Sequence, residues 1–448
     1  MTAPWLTFYG DDFTGSSAVM EVLSFAGINT MLFLGLPDAA TLARHPDLQA
    51  VGVAGTARSQ SPAWMKATLP GIFKGLNRLG APLLHYKVCS TFDSSPEVGS
   101  IGVAADIGRD VLKPAWIPLV VGAPDIGRYQ VFGNLFATAG DAVHRLDRHP
   151  VMSRHPVTPM AEADLLLHLS RQTAQASGVV DVRSMGAGHA DRALADAVAD
   201  GCSIVALDAL DSASLECAGR LIDETRPGFA IGSQGVEYAL VAHWRATGRI
   251  PNEGRSSALH PVDQLFAVTG SCAQTTANQI AFAEAKGFAV LDFDATMVVE
   301  TQALASETER LADMSLKLLS EGRSVLVTTA RGPDDPAVTR MREAVAQSGI
   351  NLSDANLRLG SALGHLVRVI RTKTGIKRVA IGGGDTSGHA LTALEADALS
   401  AIAPLAPGAP LCCVHARHGA DIDGLEITLK GGQMGAPDFF VKARNGAA

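Results

Sequence analysis

Residues 5–27, WLTFYGDDFTGSSAVMEVLSFAG, contain the pattern from which the fold class follows. The first five of them form a short apolar run typical of a strand, which ends in the turn Gly10-Asp11-Asp12-Phe13-Thr14-Gly15. Beyond the turn, apolar residues recur at the spacing of one helix face, and Gly27 ends the pattern. A buried strand, a polar turn and an amphipathic helix in this order predict a βα unit.

The same alternation continues along the chain. Further strands are predicted in the first half at residues 30–34, 50–54, 83–87, 118–121, 203–207 and 229–231. In the second half they are predicted at residues 265–268, 289–293, 324–328, 378–381, 411–414 and 426–429. Helical segments lie between most of them, so we expect largely parallel sheets. Residues 248–262 have turn formers and no apolar period, which indicates a linker. The sequence therefore predicts two α/β domains, residues 1–247 and 263–448.

Composition excludes several classes of protein. The chain has 448 residues, of which 47% are hydrophobic and 18% charged, as in ordinary globular proteins rather than disordered ones. A net charge of −8 gives no basic footprint, so we expect no nucleic-acid partner. The charge-free stretch at residues 398–414 contains three prolines and is shorter than the ~20 residues of a membrane span, so no membrane partner is expected. Six cysteines without a C-x-x-C pair, and an N-terminus unlike a signal peptide, predict a cytoplasmic protein.

Polar side chains follow the predicted strands of the first half. Asp11 and Asp12 follow the first strand, Arg58 follows the third, and Lys87 ends the fourth, with Asp93 in the turn beyond it. Ligands of open α/β sheets bind at this carboxyl edge. A carboxylate there can accept a hydroxyl proton, and a guanidinium can hold a carboxylate bidentately. The pattern indicates a pocket for a small acidic, hydroxylated molecule. Helix capping by the aspartates, a surface arginine and a solvated loop remain the alternatives.

Two other segments carry residues that often bind ligands. His155 lies in the loop Arg154-His155-Pro156-Val157-Thr158-Pro159-Met160, where it is either a substrate contact or a structural histidine. The run Cys412-Cys413-Val414-His415-Ala416-Arg417-His418 resembles a metal cluster, but its spacing is not that of a zinc site. We therefore predict no protein-bound metal.

Three turns of small residues follow strands in the second half. Glycines allow backbone N–H groups to approach a phosphate closely, and hydroxyls add further donors. Each turn alone is compatible with an ordinary tight turn, whereas three in one domain indicate a phosphorylated ligand. Their spacing matches neither the Walker A nor the dinucleotide motif. They are Val268-Thr269-Gly270-Ser271-Cys272, Ile381-Gly382-Gly383-Gly384-Asp385-Thr386-Ser387-Gly388 and Leu429-Lys430-Gly431-Gly432-Gln433-Met434-Gly435.

Taken in order, these motifs resemble the four-carbon acid sugar kinase family over nearly the whole chain. The resemblance implies an N-terminal sugar-acid-binding domain and a C-terminal nucleotide-binding domain, with ATP and Mg²⁺ as cofactors. Such enzymes phosphorylate a terminal hydroxyl of 3-oxo-tetronate, threonate, erythronate or a related acid. A branched acid such as 3-oxo-isoapionate is an alternative substrate. A lyase or isomerase of the same acids and a non-catalytic sugar-acid sensor are the rival functions. A homodimer is the default expectation for the assembly.

The resemblance also implies roles for individual residues. Asp12 is the expected base, with Asp11 able to take its place, and Arg58 and Lys87 are expected to hold the substrate carboxylate. The substrate-binding residues implied are Asp11, Arg58, Lys87, Ser90, Asp93 and His155. The ATP-binding residues implied are Ser271, Gly382, Gly383, Gly384, Asp385, Thr386, Ser387, Gly432, Gln433 and Gly435. One departure from the family pattern is Ser100 in Gly99-Ser100-Ile101-Gly102, where the family often has Asn, and it leaves the identity of the acid open.

Overall fold

The computed structural model describes residues 3–155, 157–254, 257–417 and 419–446, without the side chain of Asp385. The chain divides into two compact units, Met1–Arg255 (unit 1) and Ser256–Ala448 (unit 2). Each unit is built around a sheet of mainly parallel strands with helices in the connections. The predicted α/β class with largely parallel sheets is therefore confirmed. The domain bounds 1–247 and 263–448 stay a prediction.

Unit 1 alternates strands and helices along most of its length. Its elements, in chain order, are β1 (Leu6–Gly10), α1 (Phe13–Phe25), β2 (Thr30–Phe33), α2 (Ala39–Ala43), β3 (Ala50–Ala54), α3 (Pro62–Asn77), β4 (Leu83–Lys87), α4 (Ile101–Leu112), β5 (Ile117–Val120), β6 (Arg128–Val131), β7 (Asn134–Ala139), β8 (Ala142–Arg145), α5 (Leu165–Leu169), β9 (Ser177–Val180), α6 (Val182–Gly186), α7 (Ala190–Ala199), β10 (Ile204–Leu207), α8 (Ser212–Thr225), β11 (Gly228–Gly232) and α9 (Gly235–Ala246).

The main sheet of unit 1 runs in the order β2-β3-β1-β4-β11-β5-β10-β9, and every pair in it is parallel. Gly10 at the end of β1 is paired with both Ala54 and Lys87, and Gly232 at the end of β11 is also paired with Lys87. The turns that follow β1, β3, β4 and β11 therefore leave the sheet at one shared edge. The polar residues that the sequence places after these strands are collected there.

Strands β6, β7 and β8 form a separate antiparallel sheet, and neither they nor β9 were predicted. The strands are short and half-exposed, so they have no continuous apolar run that would reveal them. Gly133 and Gly140 take φ values of 72° and 58°, which the tight turns between these strands require. Buried Gln130 on β6 accepts from the N–H of Val121 at 2.8 Å and donates to the carbonyl of Leu207 at 2.8 Å. It thereby fixes the small sheet to the carboxyl ends of β5 and β10.

A polar pair lies inside the apolar core of unit 1. Nδ1 of His85 is 2.6 Å from Oε1 of Glu237, and both side chains are fully buried. Nε2 of the same imidazole is 3.1 Å from the carbonyl oxygen of Gly232, so that nitrogen carries the proton and donates. The second carboxylate oxygen of Glu237 has no partner within the described residues. The pair joins β4 to α9 in a region with no access to water.

Removing one partner of this pair is expected to destabilise unit 1. Glu237→Leu leaves Nδ1 of the buried His85 imidazole without its hydrogen-bond partner, so we expect the free energy of unfolding to fall by about 3 kcal/mol. The double variant with His85→Leu leaves no unpaired group and is expected to lose less than the single variant. All four tryptophans (5, 64, 116 and 244) lie in unit 1, so urea unfolding followed by tryptophan fluorescence measures it. Glu216→Leu on the exposed face of α8 is the control, expected within about 0.5 kcal/mol of the parent. A Glu237→Leu loss as small as that of the control would contradict the prediction.

Unit 2 has the same alternation, followed by a hairpin. Its elements are β12 (Phe266–Thr269), α10 (Gln274–Ala285), β13 (Ala289–Asp292), α11 (Thr301–Ser320), β14 (Val325–Thr328), α12 (Pro336–Ser348), α13 (Leu352–Thr374), β15 (Arg378–Gly382), α14 (Gly384–Leu394), β16 (Ala398–Ala406), β17 (Ala409–His415), β18 (Glu426–Lys430) and α15 (Phe439–Asn445).

The sheet of unit 2 runs in the order β13-β14-β12-β15-β18-β17-β16. The first five strands are parallel, whereas β17 is antiparallel to both β18 and β16. The charge-free stretch at residues 398–414 thus forms a hairpin, in which β16 was not predicted as a strand. Among the described residues, no helix has the length and apolar character needed to cross a membrane.

The predicted linker at residues 248–262 contains no helix or strand in its described part, but it is anchored by contacts at both ends. Ile250 and Leu259 are buried. The N–H of Val262 donates to the carbonyl of Arg444 at 2.8 Å, and Arg378 donates to the carbonyl of His260 at 2.8 Å. These contacts hold the second end of the segment against unit 2.

Candidate functional site

Asp11, Asp12 and Arg58 form an ion-paired cluster at the carboxyl edge of the unit 1 sheet. Nη2 of Arg58 lies 2.6 Å from Oδ1 of Asp11 and 2.8 Å from Oδ1 of Asp12, and Nε lies 3.3 Å from Oδ2 of Asp11. Oδ1 of Asp12 also accepts from the N–H of Gly15 at 2.8 Å, so Asp12 caps α1. The carboxylate of Asp12 therefore both caps helix α1, as the alternative interpretation of the sequence has it, and pairs with Arg58.

The two aspartates differ in their exposure to solvent. The side chain of Asp11 is 3% exposed, whereas that of Asp12 is 28% exposed. Burial raises the pKa of Asp11 to about 6, with Arg58 opposing the rise and Asp12 adding to it. Oδ2 of Asp12 has no hydrogen-bond partner in the described part of the chain. Asp12 therefore presents a free carboxylate oxygen, while both oxygens of Asp11 are held by Arg58.

Lys87 lies beneath this cluster and is only 1% exposed. Its ammonium donates to the carbonyl of Val88 at 2.6 Å. A Cβ at Gly15 would lie 2.9 Å from Nζ of Lys87 and would also overlap Oδ1 of Asp12. Gly15 is thus required for the first turn of α1 to approach both charged groups. The sequence indicated a glycine turn here without indicating this close packing.

The turn after β4 holds Asp93 beside the same arginine. Thr91 donates to Oδ1 of Asp93 at 2.8 Å. Burial opposes ionisation of Asp93, but Arg58 together with hydrogen bonds from Cys89 and Thr91 brings the pKa of its carboxyl below the ordinary value. Burial, with the charge of Asp93, raises the pKa of the Cys89 thiol to about 11, so the thiol is neutral at physiological pH. Phe92, at the centre of the turn, has a φ of 55°, which is rare for a side chain of its size.

Ser90 and His155, the other two predicted substrate residues, have different surroundings. Ser90 lies half-buried in the turn before Asp93, and its hydroxyl has no hydrogen-bond partner among the described residues. Nδ1 of His155 accepts from the N–H of Thr158 at 3.1 Å and lies 3.0 Å from its hydroxyl. The described hydrogen bonds of His155 stay within its own loop. Pro156 of that loop lies outside the described residues.

A polar network behind the turn was not found from the sequence. Ser94 lies 2.9 Å from Nε2 of His168, and Gln172 donates to Ser94 at 3.0 Å. Burial lowers the pKa of His168 to about 4, so the imidazole is neutral and accepts hydrogen bonds. The residues of the network lie 74 and 78 positions apart along the chain, and no local pattern links them.

The departure from the family motif at Ser100 also belongs to this network. Ser100 is fully buried, and its hydroxyl donates to Oε1 of Gln172 at 3.2 Å while accepting from the N–H of Val103. Ser100 therefore caps α4 and supports the turn from behind. The Ser100 side chain is enclosed by protein, and its effect on the identity of the acid stays a prediction.

In unit 2, the three predicted turns meet at the ends of neighbouring strands β12, β15 and β18. The N–H of Gly270 donates to the carbonyl of Gly382 at 3.0 Å, and the N–H of Gly383 donates to the carbonyl of Lys430 at 2.9 Å. A Cβ at Gly432 would lie 2.6 Å from Oγ of Ser271, and one at Gly270 would lie 2.5 Å from Oγ1 of Thr386. Side chains at these glycines would therefore fill the space between the turns.

Helix α14 begins inside this cluster of turns. Gly383 caps it with a φ of 115°, a conformation that favours glycine, and no side chain that the structure describes accepts from the first N–H groups. The positive end of a helix with free N–H groups is suited to a phosphate. Ser387 is buried and donates to the carbonyl of Gly383 at 2.6 Å, so its hydroxyl points into the turn. Asp385 is the second residue of α14, but its side chain lies outside the described part.

Lys430 is a charged residue of this cluster that was not among the predicted site residues. It is 1% exposed, and its ammonium donates to Thr276 Oγ1 at 3.0 Å and to the carbonyl of Gly431 at 3.1 Å. Burial lowers its pKa to about 8. No carboxylate pairs with it in the described part of unit 2. Its position directly before a glycine pair was the signal in the sequence that could have identified it.

The last two predicted residues of the third turn are held mainly by helix α10. Gln433 is exposed and accepts from the hydroxyl of Thr275 at 3.1 Å. Gly435 has a φ of 85°, and its carbonyl accepts from buried Gln279 at 3.0 Å. These contacts fix the turn in its observed shape.

The candidate metal cluster near the C-terminus is not assembled by the described residues. Cys412 and Cys413 are successive residues of β17, and successive strand residues point to opposite faces. Within the described ranges, no group of three or more His, Cys, Asp and Glu side chains is placed to hold a metal ion. His418 lies outside the described residues.

Comparison with known proteins assigns the two units to known domain types. Residues 6–240 match a sugar-binding N-terminal domain, and residues 266–440 match a nucleotide-binding C-terminal domain. The fold and its two polar clusters thus define a two-domain sugar- and nucleotide-binding protein. The chain belongs to the four-carbon acid sugar kinase family. The membership predicted from the sequence is confirmed.

Individual relatives match the chain over nearly its whole length. A 3-oxo-isoapionate kinase of Paraburkholderia graminis is 47% identical over 98% of this chain and 94% of its own. A 3-oxo-tetronate kinase of Methylobacterium radiotolerans is 30% identical over 97% of each chain. Among solved structures, a protein of Salmonella typhimurium LT2 described as a putative tRNA synthase has the same fold, with a TM-score of 0.80, 24% identity and 98% coverage of both chains.

Proposed function

We propose that this chain is an ATP-dependent kinase that phosphorylates a terminal hydroxyl of 3-oxo-isoapionate. The observation that carries the choice of substrate is the 47% identity to a 3-oxo-isoapionate kinase over 98% of the chain. The 3-oxo-tetronates are the second candidates, with threonate and erythronate beside them, because 3-oxo-tetronate kinases are 26–30% identical over 97–98% of the chain. Relatives of both kinds support phosphoryl transfer to a sugar acid.

In unit 1, Asp12 is proposed as the base that accepts the hydroxyl proton. Its free Oδ2 and partial exposure support this role, whereas Asp11 is buried and held at both oxygens by Arg58. Arg58 fixes the direction of the Asp12 carboxylate through Oδ1. Ser90, Asp93, Lys87 and His155 remain proposed substrate-binding residues, with the free hydroxyl of Ser90 supporting its assignment. Phosphoryl transfer needs alignment of the reacting groups and stabilisation of charge, but it needs no covalent nucleophile on the protein. These residues of unit 1 supply the alignment.

In unit 2, the glycine turns and Lys430 are proposed to hold the phosphates of ATP. Backbone N–H groups at the start of α14, the hydroxyls of Ser271 and Thr386, and the ammonium of Lys430 are the donors. Mg²⁺ bound to ATP would neutralise part of the phosphate charge. Mg²⁺ in such sites is commonly held by one or two carboxylates together with phosphate oxygens, so a three-ligand protein cluster is not required. Gly382, Gly383, Gly384, Asp385, Ser387, Gly432, Gln433 and Gly435 stay proposed as the remaining ATP-binding residues.

The test of this function is ADP release from MgATP across a panel of acids. The panel comprises 3-oxo-isoapionate, both 3-oxo-tetronates, D- and L-threonate and D-erythronate. We expect the highest kcat/KM with 3-oxo-isoapionate. A higher value with a 3-oxo-tetronate would move the assignment to the second candidate. Binding of an acid without ADP release would indicate a sensor. Conversion of an acid in the absence of ATP would indicate a lyase or isomerase.

The pH dependence of the reaction is expected to show the titration of Asp11. Because its pKa in the folded protein is about 6, Asp11 becomes protonated as the pH falls below that value and then no longer balances the charge of Arg58. We expect kcat/KM at pH 5 to be about one-tenth of that at pH 7.5. Measurement at saturating Mg²⁺ in the parent and in Asp11→Asn checks this. The variant leaves the nucleotide site unchanged and has no titrating group at position 11. Its kcat/KM should therefore not fall in this way between pH 7.5 and pH 5. An unchanged fall in the variant would assign the titration to another group.

The assembly and the location of the protein are proposals too. A homodimer is proposed because closed two-fold dimers are the commonest soluble oligomers. A cytoplasmic location is proposed because all six cysteines are free, as is usual in a reducing compartment. Light scattering after size-exclusion chromatography tests the first proposal.

A further inference from the structure

The cluster in unit 1 does not provide an obvious cation for the carboxylate of a sugar acid. Arg58 is paired with both Asp11 and Asp12, so these three groups together carry one net negative charge. Lys87 adds a positive charge, but its ammonium is enclosed beneath Gly15 and donates to a backbone carbonyl. Asp93 adds a further negative charge beside them. An anionic substrate would therefore meet repulsion here unless another cation faces it.

Arg128 is such a cation, and the backbone places it at the same edge of the sheet. It is the first residue of β6, and it forms an antiparallel bridge with Ala123, which follows β5. The neighbouring strand β11 continues into Ser233, whose N–H donates to the carbonyl of Val120 at 3.0 Å. On the other side of β11, the carbonyl of Gly232 accepts from the N–H of Val88, next to Cys89. Among the described residues, Cys89 and His149 are titratable groups near enough to interact electrostatically with Arg128.

The guanidinium of Arg128 is incompletely satisfied. Nη1 donates to the carbonyls of Ile126 at 3.3 Å and Gly127 at 3.1 Å. Nε is buried and has no partner within the described residues, and no carboxylate pairs with the group there. Burial accordingly lowers the pKa of Arg128, and the neutral thiol of Cys89 does not supply a compensating charge. A partly buried guanidinium without an anion is unfavourable in isolation, and a bound anion would remove that penalty.

We propose that Arg128 binds the carboxylate of the sugar acid, and that Arg58 instead positions the base Asp12. The proposal rests on the proposed function, because it assigns a residue to the acid that the kinase phosphorylates. It replaces the expectation that Arg58 and Lys87 hold that carboxylate. Nε and Nη2 of a guanidinium form a fork that matches the two oxygens of a carboxylate. Such a pair makes the site select acids over neutral sugars of the same shape, since a neutral ligand would leave the arginine unpaired.

The test is equilibrium binding of 3-oxo-isoapionate by calorimetry in the absence of ATP. Arg128→Gln is expected to raise the Kd for the acid about 100-fold, because a buried charge pair is lost. The neutral primary amide of the same acid is expected to bind the parent about 100-fold more weakly than the acid. Arg128→Gln should bind acid and amide with similar Kd values. Arg128→Lys keeps the charge without the fork, and its Kd for the acid should rise about 10-fold.

Arg145→Gln is the matched control, because Arg145 lies in the same small sheet but is paired with Asp147. Its Kd for the acid is expected to stay within twofold of the parent. Tryptophan fluorescence checks that each variant is folded. An unchanged Kd in Arg128→Gln, or in Arg128→Lys if the first variant fails to fold, would overturn the assignment. Binding that depends on Arg128 without any ADP release would support this inference and refute the kinase. Absence of binding of 3-oxo-isoapionate and of both 3-oxo-tetronates to the parent would refute both.

Discussion

Asp12→Asn is expected to lower kcat with the preferred acid about 1,000-fold and to leave the Kd for ATP within twofold of the parent. An amide cannot accept the hydroxyl proton, and loss of a general base typically reduces turnover by a factor of 10² to 10⁴. The variant is structurally mild because Asn caps helices about as well as Asp. The amide oxygen can still accept from the N–H of Gly15 and from Arg58, as Oδ1 of Asp12 does. The measurement is single-turnover phosphorylation with saturating MgATP.

A second N-cap aspartate in the same unit provides a close control. Asp38 caps α2 by accepting from the N–H of Thr41 at 2.7 Å, and it lies on the surface. Asp38→Asn makes the same chemical change in the same structural position, so it is expected to leave kcat unchanged. Asp11→Asn separates the two adjacent carboxylates. A normal kcat in Asp12→Asn together with a collapse in Asp11→Asn would transfer the role of base to Asp11.

Lys430→Met is expected to lower kcat/KM for ATP about 300-fold. The ammonium is buried beside the glycine turns without a carboxylate partner in the described part of unit 2, so a phosphate is the anion best suited to it. Loss of one preorganised donor to a developing negative charge typically reduces the rate 10² to 10³-fold. The pKa of Lys430 is about 8 in the protein without nucleotide, so binding of ATP should weaken as the pH rises through 8. The variant, which has no ammonium, should lack this pH dependence of the Kd.

Separate binding experiments with 3-oxo-isoapionate and with ATP distinguish the loss of the Lys430 ammonium from misfolding of the variant. The Kd of Lys430→Met for 3-oxo-isoapionate, measured without ATP, is expected to match that of the parent. Lys317→Met changes an exposed lysine on α11 of the same unit and should leave kcat/KM for ATP within twofold. A Kd for ATP that is unchanged in Lys430→Met and still rises above pH 8 would show that another group carries the titration.

The strands with continuous apolar runs were predictable because a buried parallel strand has to be apolar on both faces. The predicted run at residues 83–87 coincides with β4, and the run at residues 50–54 coincides with β3. Strands β6 to β8 were missed because they are half-exposed and lack that signal. Their omission also concealed Arg128. An arginine in an apparent loop has no feature in the sequence that distinguishes it from the other surface arginines.

The sequence by itself determined the α/β class, the family and the segments that carry the polar residues. It did so because apolar periodicity and glycine placement are local properties of the chain. Only the tertiary structure decided how those residues share their charges. Asp11 and Arg58 are 47 positions apart, yet they form one ion pair, and that pairing leaves the carboxylate of Asp12 with a free oxygen. Which chain segments meet at the edge of the sheet decides the charge balance, the burial and the space left by Gly15. A linear sequence pattern does not contain the distances between those segments.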